Sequence, residues 1–100
     1  MLIAKKYDDG DIVSFKLITG EEIIAKVIED NESDYVIHKP CTIVPSQQGV
    51  GMIQSLFTVD GESNITVSKS HVIMHSKSVE DIKGHYIKTT TGIELATNIA

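Results

Sequence analysis

Four histidines are the side chains of this sequence best suited to hold a metal or to move a proton. His71 and His75 are four residues apart, a spacing that places both side chains on one face of a helix or of a regular strand. A metal site usually needs three or four ligands, and no cysteine or carboxylate cluster surrounds this pair in the sequence. We therefore predict two partly exposed histidines at the end of a strand, with no bound metal and no other cofactor.

The single cysteine and the acidic pairs are the remaining candidates for catalysis. Cys41 follows Pro40 in a β-forming stretch, and a catalytic thiol there would need a base and a positively charged environment. His38 precedes the cysteine by three residues, which places it on the opposite face of a regular strand. The sequence therefore predicts a buried thiol and a protein that is not an enzyme. The acidic pairs at turns and strand ends are typical of solvated groups: they are Asp8-Asp9, Glu21-Glu22 and Glu29-Asp30.

Composition and charge narrow the class of partner. The chain has 100 residues, of which 41% are hydrophobic and 23% charged, as expected for one globular domain. Its nine basic residues are all lysine, and the net charge of −5 argues against a basic face for duplex nucleic acid. One cysteine excludes an internal disulfide and fits a reducing compartment. The sequence shows no signal peptide and no membrane-length apolar run, so we expect a cytoplasmic protein with no membrane partner.

Short runs rich in isoleucine, valine, phenylalanine and threonine predict an antiparallel meander. Some strands are apolar on both faces: the second carries Ile23 and Val27 on one side and Ile24 and Ile28 on the other. A sheet with one solvated face would not need this pattern. We therefore expect a bent sheet that closes on itself, or one covered by a helix or another subunit. The five expected strands are residues 11–19, 22–29, 35–44, 52–59 and a last one within 65–75.

The hydrophobic period changes to that of a helix near the C-terminus. Val79, Ile82 and Tyr86 recur at three- and four-residue spacing, which places them on one helical face. Ser78 is the predicted N-cap, and Gly92 the predicted residue just after the helix. The class is therefore mainly β with one terminal helix.

The sequence of residues 15–28 resembles the first half of the Sm motif. Sm and LSm proteins carry there an apolar–x–Leu–x–x–Gly–x–x–apolar–x–Gly–x–apolar pattern. Ala25 stands where the family has its second glycine, and a small residue lets the strand bend sharply. Gly20 permits the tight turn before it. The positions that match the motif are Leu17, Gly20, Ile23 and Val27.

This resemblance to the Sm-like (LSm/Hfq-type) superfamily implies a specific fold. It implies a strongly bent five-stranded antiparallel Sm-like (SH3-like) barrel over about residues 11–75, followed by a C-terminal α-helix over about 78–91. Residues 1–100 then form a single domain. The stretch Gly49-Val50-Gly51-Met52, together with the ending Thr91-Gly92-Ile93, further resembles small Sm-like proteins of marine T4-like phages (the cyanophage type).

Membership of the Sm-like superfamily would imply that copies of the chain assemble into a ring. Sm-like subunits join edge to edge, the fourth strand of one pairing with the fifth strand of its neighbour, and this covers the open edges of the sheet. The first hypothesis is a non-enzymatic phage protein in the host cytoplasm that forms a homo-oligomeric ring. It would act as an assembly or interaction module, with other phage or host proteins as further partners. The candidate interface residues are Val59, Ile65 and Val67.

The alternative is an RNA-binding Sm/Hfq-like chaperone with a rearranged pocket and single-stranded RNA as its partner. The family's binding loop falls here on residues 30–35, with Ser33 where the base-stacking residue belongs. The family's Arg-Gly pair near the last strand has no match. The usual pocket is therefore not present residue for residue. The candidate RNA-binding residues are Asn31, Tyr35, Lys69, His75 and Lys77.

Overall fold

A computed structural model describes residues 5–91 as one antiparallel sheet and a terminal helix. No helix among these residues has the length and apolar character needed to cross a membrane. The elements are β1 (Ile12–Leu17), β2 (Glu22–Asp30), β3 (Asp34–Ser46), β4 (Gly49–Gln54), β5 (Asn64–Ser68), the 3-10 helix η1 (Lys69–His71), β6 (Val72–Lys77) and α1 (Glu80–Thr90).

The sheet follows the path β4-β3-β2-β1-β6, and every neighbouring pair is antiparallel. The long strand β3 has two partners on its other side: β5 pairs with residues 34–38, and β4 with residues 41–46. The predicted mainly β, antiparallel class with a helix after the sheet is confirmed. The predicted number of five strands is wrong, because the described residues form six strands along an open path.

A short 3-10 helix divides the last predicted strand. The Ser68 side chain accepts a hydrogen bond from the backbone N–H of Ser70, which caps η1 and interrupts the strand. Before η1 the chain pairs with β3, and after η1 it pairs with β1, so the helix carries the chain from one part of the sheet to another. The prediction of one strand within residues 65–75 is therefore wrong.

The central strands bury side chains on both faces, as their pattern predicts. On one face, apolar residues of β1, β2, β3, β5 and β6 meet in a single cluster, so the sheet curves around it. The buried members of this inner cluster are Tyr7, Val13, Phe15, Ile23, Ala25, Val27, Tyr35 and Ile37; Leu17, Ile65, Val67 and Val72 pack against them.

Helix α1 covers the opposite face. Tyr86 packs there with Ile12, Ile24 and Cys41, and Ile82 packs against this outer cluster. Of the alternatives left open by the sequence, a covering helix therefore accounts for the second buried face. Burial of apolar surface on both faces is the main favourable contribution to the free energy of folding.

The Tyr86 hydroxyl group joins the helix to two strands of the sheet. The Tyr86 hydroxyl lies 2.8 Å from the Lys39 carbonyl oxygen and 3.0 Å from that of His38, both of which accept its proton. It also accepts a 3.2 Å hydrogen bond from the Lys26 N–H. These backbone groups belong to β2 and β3, so one side chain fixes α1 to two strands. Burial raises the pKa of Tyr86, and the hydroxyl stays protonated.

The start of α1 differs from the prediction. Val79 is the N-cap residue and makes no side-chain capping bond, while the Ser78 hydroxyl lies 2.7 Å from the Ser14 hydroxyl. The Ser78 N-cap prediction is therefore wrong, because a contact with β1 takes its side chain. Glu80 and Asp81 lie in the first turn, where the helix dipole favours acidic groups. Gly92, the residue predicted to follow the helix, lies outside the described residues.

Gly20 provides a test of the turn between β1 and β2. Its φ is +96°, and a Cβ added there would meet no atom within 4 Å. A Gly20→Val substitution therefore costs backbone strain alone, and we expect it to lower the free energy of unfolding by about 1–2 kcal/mol. Gly61→Val is the matched control, since Gly61 is equally open and lies outside the left-handed region. Equal losses of unfolding free energy in the two variants, measured by urea unfolding, would contradict a strained position at Gly20.

Candidate functional site

Three of the predicted RNA-binding residues lie together at the edge of the inner cluster, of which Tyr35 is a member. Tyr35 of β3, Lys69 of η1 and His75 of β6 come from elements that the 3-10 crossover brings side by side. The Tyr35 and His75 ring centroids are 5.9 Å apart. The Lys69 Nζ lies 4.7 Å from the Tyr35 ring centroid, within the range of a cation–π contact.

The Tyr35 ring is part of the protein core. It is 3% exposed, and its centroid lies 5.0 Å from that of Phe15 and 6.2 Å from that of Tyr7. Burial raises its pKa above the ordinary value. In this arrangement the ring faces contact protein and are not open to a nucleic-acid base.

A buried carboxylate lies next to these aromatic rings. Asp30 is 3% exposed, and its Oδ1 accepts a 2.6 Å hydrogen bond from the Lys69 Nζ. Its Oδ2 accepts bonds of 2.8 and 3.1 Å from the backbone N–H groups of Lys6 and Tyr7. Burial alone would raise the pKa of this carboxyl, but these hydrogen bonds and the Lys69 charge outweigh burial and lower it. Asp30 therefore holds the N-terminal segment against the sheet as a charged group.

The burial of Asp30 corrects the prediction that it is a solvated turn residue. The pairing of β2 with β3 shifts register between Val27 and Glu29. Because side chains alternate along a strand, this irregularity changes which residues face the core, so that both Val27 and Asp30 are buried. Strict alternation would place the two on opposite faces.

Tyr7 is a site residue that sequence reasoning missed. Its hydroxyl lies 2.7 Å from the His75 Nδ1, and its ring packs edge-on against that imidazole. Burial raises the pKa of Tyr7 to about 12, and the neighbouring Tyr35, Asp30 and Asp11 add to the shift. The phenol is therefore not ionised at neutral pH. An aromatic residue in the polar segment before the first strand was the available signal.

The other two predicted RNA-binding residues have different partners. The Asn31 Nδ2 donates to the Asp34 Oδ1 at 2.8 Å and to the Glu29 Oε1 at 3.3 Å, which closes the turn between β2 and β3. Lys77 lies at the end of β6 away from η1, with its Nζ 3.6 Å from the Asp11 Oδ2.

The structure separates the two histidines of the pair and buries the cysteine. His71 belongs to η1 and His75 to β6, so the two do not share a strand face. Cys41 is buried, as predicted, and burial raises the pKa of its thiol. Burial of this kind disfavours the thiolate, which is the reactive form of the side chain. Within residues 5–91, no three His, Cys, Asp or Glu residues come together as a metal site.

Exposed apolar side chains mark both ends of the sheet path. On β6, Ile73 is 57% exposed and Met74 is 64% exposed; on β4, Val50 and Ile53 are exposed. Each of these terminal strands has one neighbour among the described residues, so each has an unpaired edge. Edges of this kind are the sites where a sheet accepts another strand.

An apolar groove of about 510 Å³ lies beside β4. Val59, a predicted interface residue, lines it and is exposed. Ile65 also borders the groove, but it packs against the inner cluster of its own chain, as Val67 does. The principal apolar lining residues are Met52, Ile53, Leu56, Phe57, Val59 and Ile65.

In comparisons with known proteins, the chain matches no protein-family model and no curated protein. The resemblance to Sm-like proteins therefore rests on residues of the chain itself. Those positions have clear structural roles: Gly20 adopts a positive φ in the turn between β1 and β2, and Ala25 is fully buried in the inner cluster.

The polar cluster predicts a specific acid sensitivity. An Asp30→Asn variant loses the ion pair with Lys69, and we expect it to lower the free energy of unfolding at pH 7 by about 2 kcal/mol. The folded pKa of Asp30 lies below the ordinary 3.8, so its contribution is complete above that value and is lost as the pH falls further. The difference between wild type and variant should therefore shrink below pH 3.8.

Urea unfolding across this pH range measures the effect, with the exposed Asp9→Asn as control. A pH-independent difference between wild type and Asp30→Asn would contradict a charged Asp30.

Proposed function

We propose that this chain is a non-enzymatic, Sm-like subunit of phage origin that forms a homo-oligomeric ring in the host cytoplasm. It serves there as an assembly or interaction module. One observation carries the proposal: the two ends of the sheet path are different strands, each with an unpaired edge among the described residues and with exposed apolar side chains. Two different surfaces on one chain favour head-to-tail contacts, which close into a ring when the rotation permits.

The β6 edge supplies one half of the proposed contact. Ile73 and Met74 are adjacent, so their side chains point to opposite faces of the strand, and both are more than half exposed. Neither face of β6 is therefore covered at these positions. A strand from a neighbouring subunit would satisfy the backbone groups and cover both side chains.

The β4 edge supplies the other half. Ile53 lies on this strand, and the apolar groove beside it contains Val59 and Phe57 of the following loop. We assign the groove to the apolar side chains of β6 from a second copy, because it adjoins the edge to which that strand would add. Val59 is thus an interface residue in this proposal. The contact does not use Val67, whose side chain supports its own core.

Variants that block one edge at a time test this arrangement. We expect Ile53→Lys to block the β4 edge and Met74→Lys to block the β6 edge, because each places a charge in an apolar contact. Each variant alone should be a monomer by light scattering. An equimolar mixture should give a dimer, since each protein keeps one intact edge that fits the other.

Ile87→Lys, at an exposed position on α1, is the matched control and should keep the mass of the unmodified protein. Three results would contradict the proposal: unchanged masses for both edge variants, the same dissociation for Ile87→Lys, or a mixture that remains monomeric.

A second candidate function is RNA binding with a rearranged pocket, as in an Sm/Hfq-like chaperone. It is favoured by the convergence of Tyr35, Lys69 and His75 from three different elements. The Asp30 carboxylate neutralises Lys69 in this state, so RNA would have to replace that ion pair. This candidate predicts salt-dependent binding of short U-rich or A-rich RNA that Lys69→Met weakens. Absence of binding at low salt would exclude it.

A further inference from the structure

A recess between α1 and β3 gathers positive charge in an otherwise acidic protein. It has a volume of about 440 Å³ and shares Lys39, Glu62 and Thr90 with the apolar groove beside β4. Three of the nine lysines of the chain line it, together with one histidine, and Glu62 is the only acidic lining residue within residues 5–91. The three lysines are Lys26, Lys39 and Lys83, and the histidine is His38.

Two of these lysines have no counterion in the part of the chain that the structure describes. Within residues 5–91, the side chains of Lys26 and Lys83 make no ion pair and no hydrogen bond. The chain as a whole has a net charge of −5, so lysines without acidic partners are not explained by a general excess of cations. The recess therefore has a local charge opposite to that of the protein.

Lys39, which lines the recess, has a strained backbone conformation. Its φ is +50°, a left-handed value that is costly for a residue with a side chain, and it directly precedes Pro40. The strain coincides with a bulge at which β3 residues 38–41 oppose β2 residues 24–26. The Lys39 Nζ reaches across to α1 and donates to the Thr90 carbonyl at 2.9 Å. Strained positions and bulges of this kind are concentrated at functional sites.

An anion of the protein itself occupies part of the recess. The Glu62 carboxylate lies 3.4 Å from the His38 Nε2 and 3.4 Å from the Lys39 Nζ. Glu62 comes from the loop between β4 and β5, and its side chain is 75% exposed. An exposed surface ion pair contributes little to stability, so a ligand of higher charge can replace this carboxylate.

We propose that the recess binds the terminal phosphate of a small phosphorylated molecule, with Lys26, Lys39 and Lys83 as the cationic contacts. A dianionic phosphate replaces Glu62 and neutralises the two unpaired lysines. Lysine binds phosphate as a point charge, and this chain has no arginine for a bidentate contact. The volume fits a small-molecule site, and the buried Ile12 and Tyr86 provide an apolar wall for the organic part of the ligand.

Methyl phosphate and dimethyl phosphate are suitable probes, because they differ chiefly in the second negative charge. Amide NMR titrations at constant ionic strength should show saturable shifts at His38, Lys39 and Lys83 with methyl phosphate. Dimethyl phosphate should bind at least about tenfold more weakly, as expected for a loss of charge at a cationic site. Adenosine 5′-monophosphate tests the apolar wall and should bind more tightly than methyl phosphate. Equal binding of the monoester and the diester would overturn a terminal-phosphate site, as would shifts that do not saturate.

Variants that each remove one charge on or near α1 distinguish binding in the recess from general electrostatic attraction to the protein. Lys83→Met should weaken methyl phosphate binding about five- to tenfold, and Lys26→Met should do so as well. Lys88→Met removes the same charge from the same helix outside the recess and should leave binding unchanged. Glu62→Gln should strengthen binding, because it removes the competing anion. Equal losses in Lys83→Met and Lys88→Met, or weaker binding by Glu62→Gln, would overturn the proposal. Lys26 and Lys83 do not line the groove assigned to the second copy, so their variants test the recess independently of ring formation.

Discussion

Burial on both faces of β2 is the constraint on which the rest of this structure depends. Ile23 and Ile24 are neighbours in sequence, point to opposite faces, and are both buried. One face is covered because the sheet curves around the inner cluster, and the other because α1 packs across it. The helix is held at its place by the Tyr86 hydroxyl, whose partners are backbone groups at the β3 bulge. The cationic recess lies where this contact joins helix and sheet.

Apolar side chains are buried in the middle of the sheet, but several remain exposed on its two terminal strands. The buried apolar side chains of β1 and β2 pack in the inner cluster or in the outer cluster under α1. On β4 and β6, by contrast, Ile53, Ile73 and Met74 remain exposed beside unpaired strand edges. At the end of β2, the buried Asp30 is balanced by Lys69 and by the N-terminal segment, so the polar cluster there is internally satisfied. Each terminal strand combines an unpaired edge among the described residues with exposed apolar side chains, which is why our functional proposal uses these strands.

The sequence predicted the features that follow from the alternation of apolar and polar residues along a strand. It did not predict those that arise at bulges in the pairing of strands or from contacts between distant residues. Alternating apolar residues predicted β1, β2 and β3, with apolar side chains on both faces of β2 and β3. The burial of Asp30 and the backbone of Lys39 arise at bulges, where alternation changes phase. Ser78 was a reasonable N-cap by type, but its hydroxyl contacts Ser14, which is 64 residues away. The sequence singled out Tyr35, Lys69 and His75, which converge in the structure. It did not single out Tyr7, which contacts His75, because Tyr7 belongs to no periodic pattern.

The solution mass of the unmodified chain tests the central claim most directly. One subunit has a mass of 10.9 kDa, and multi-angle light scattering at several protein concentrations resolves multiples of it. Edge-to-edge association predicts a stable closed oligomer of about five to seven copies whose mass does not increase with concentration. A monomer at every concentration would contradict the account, because β4 and β6 would then remain exposed without a partner from a second copy.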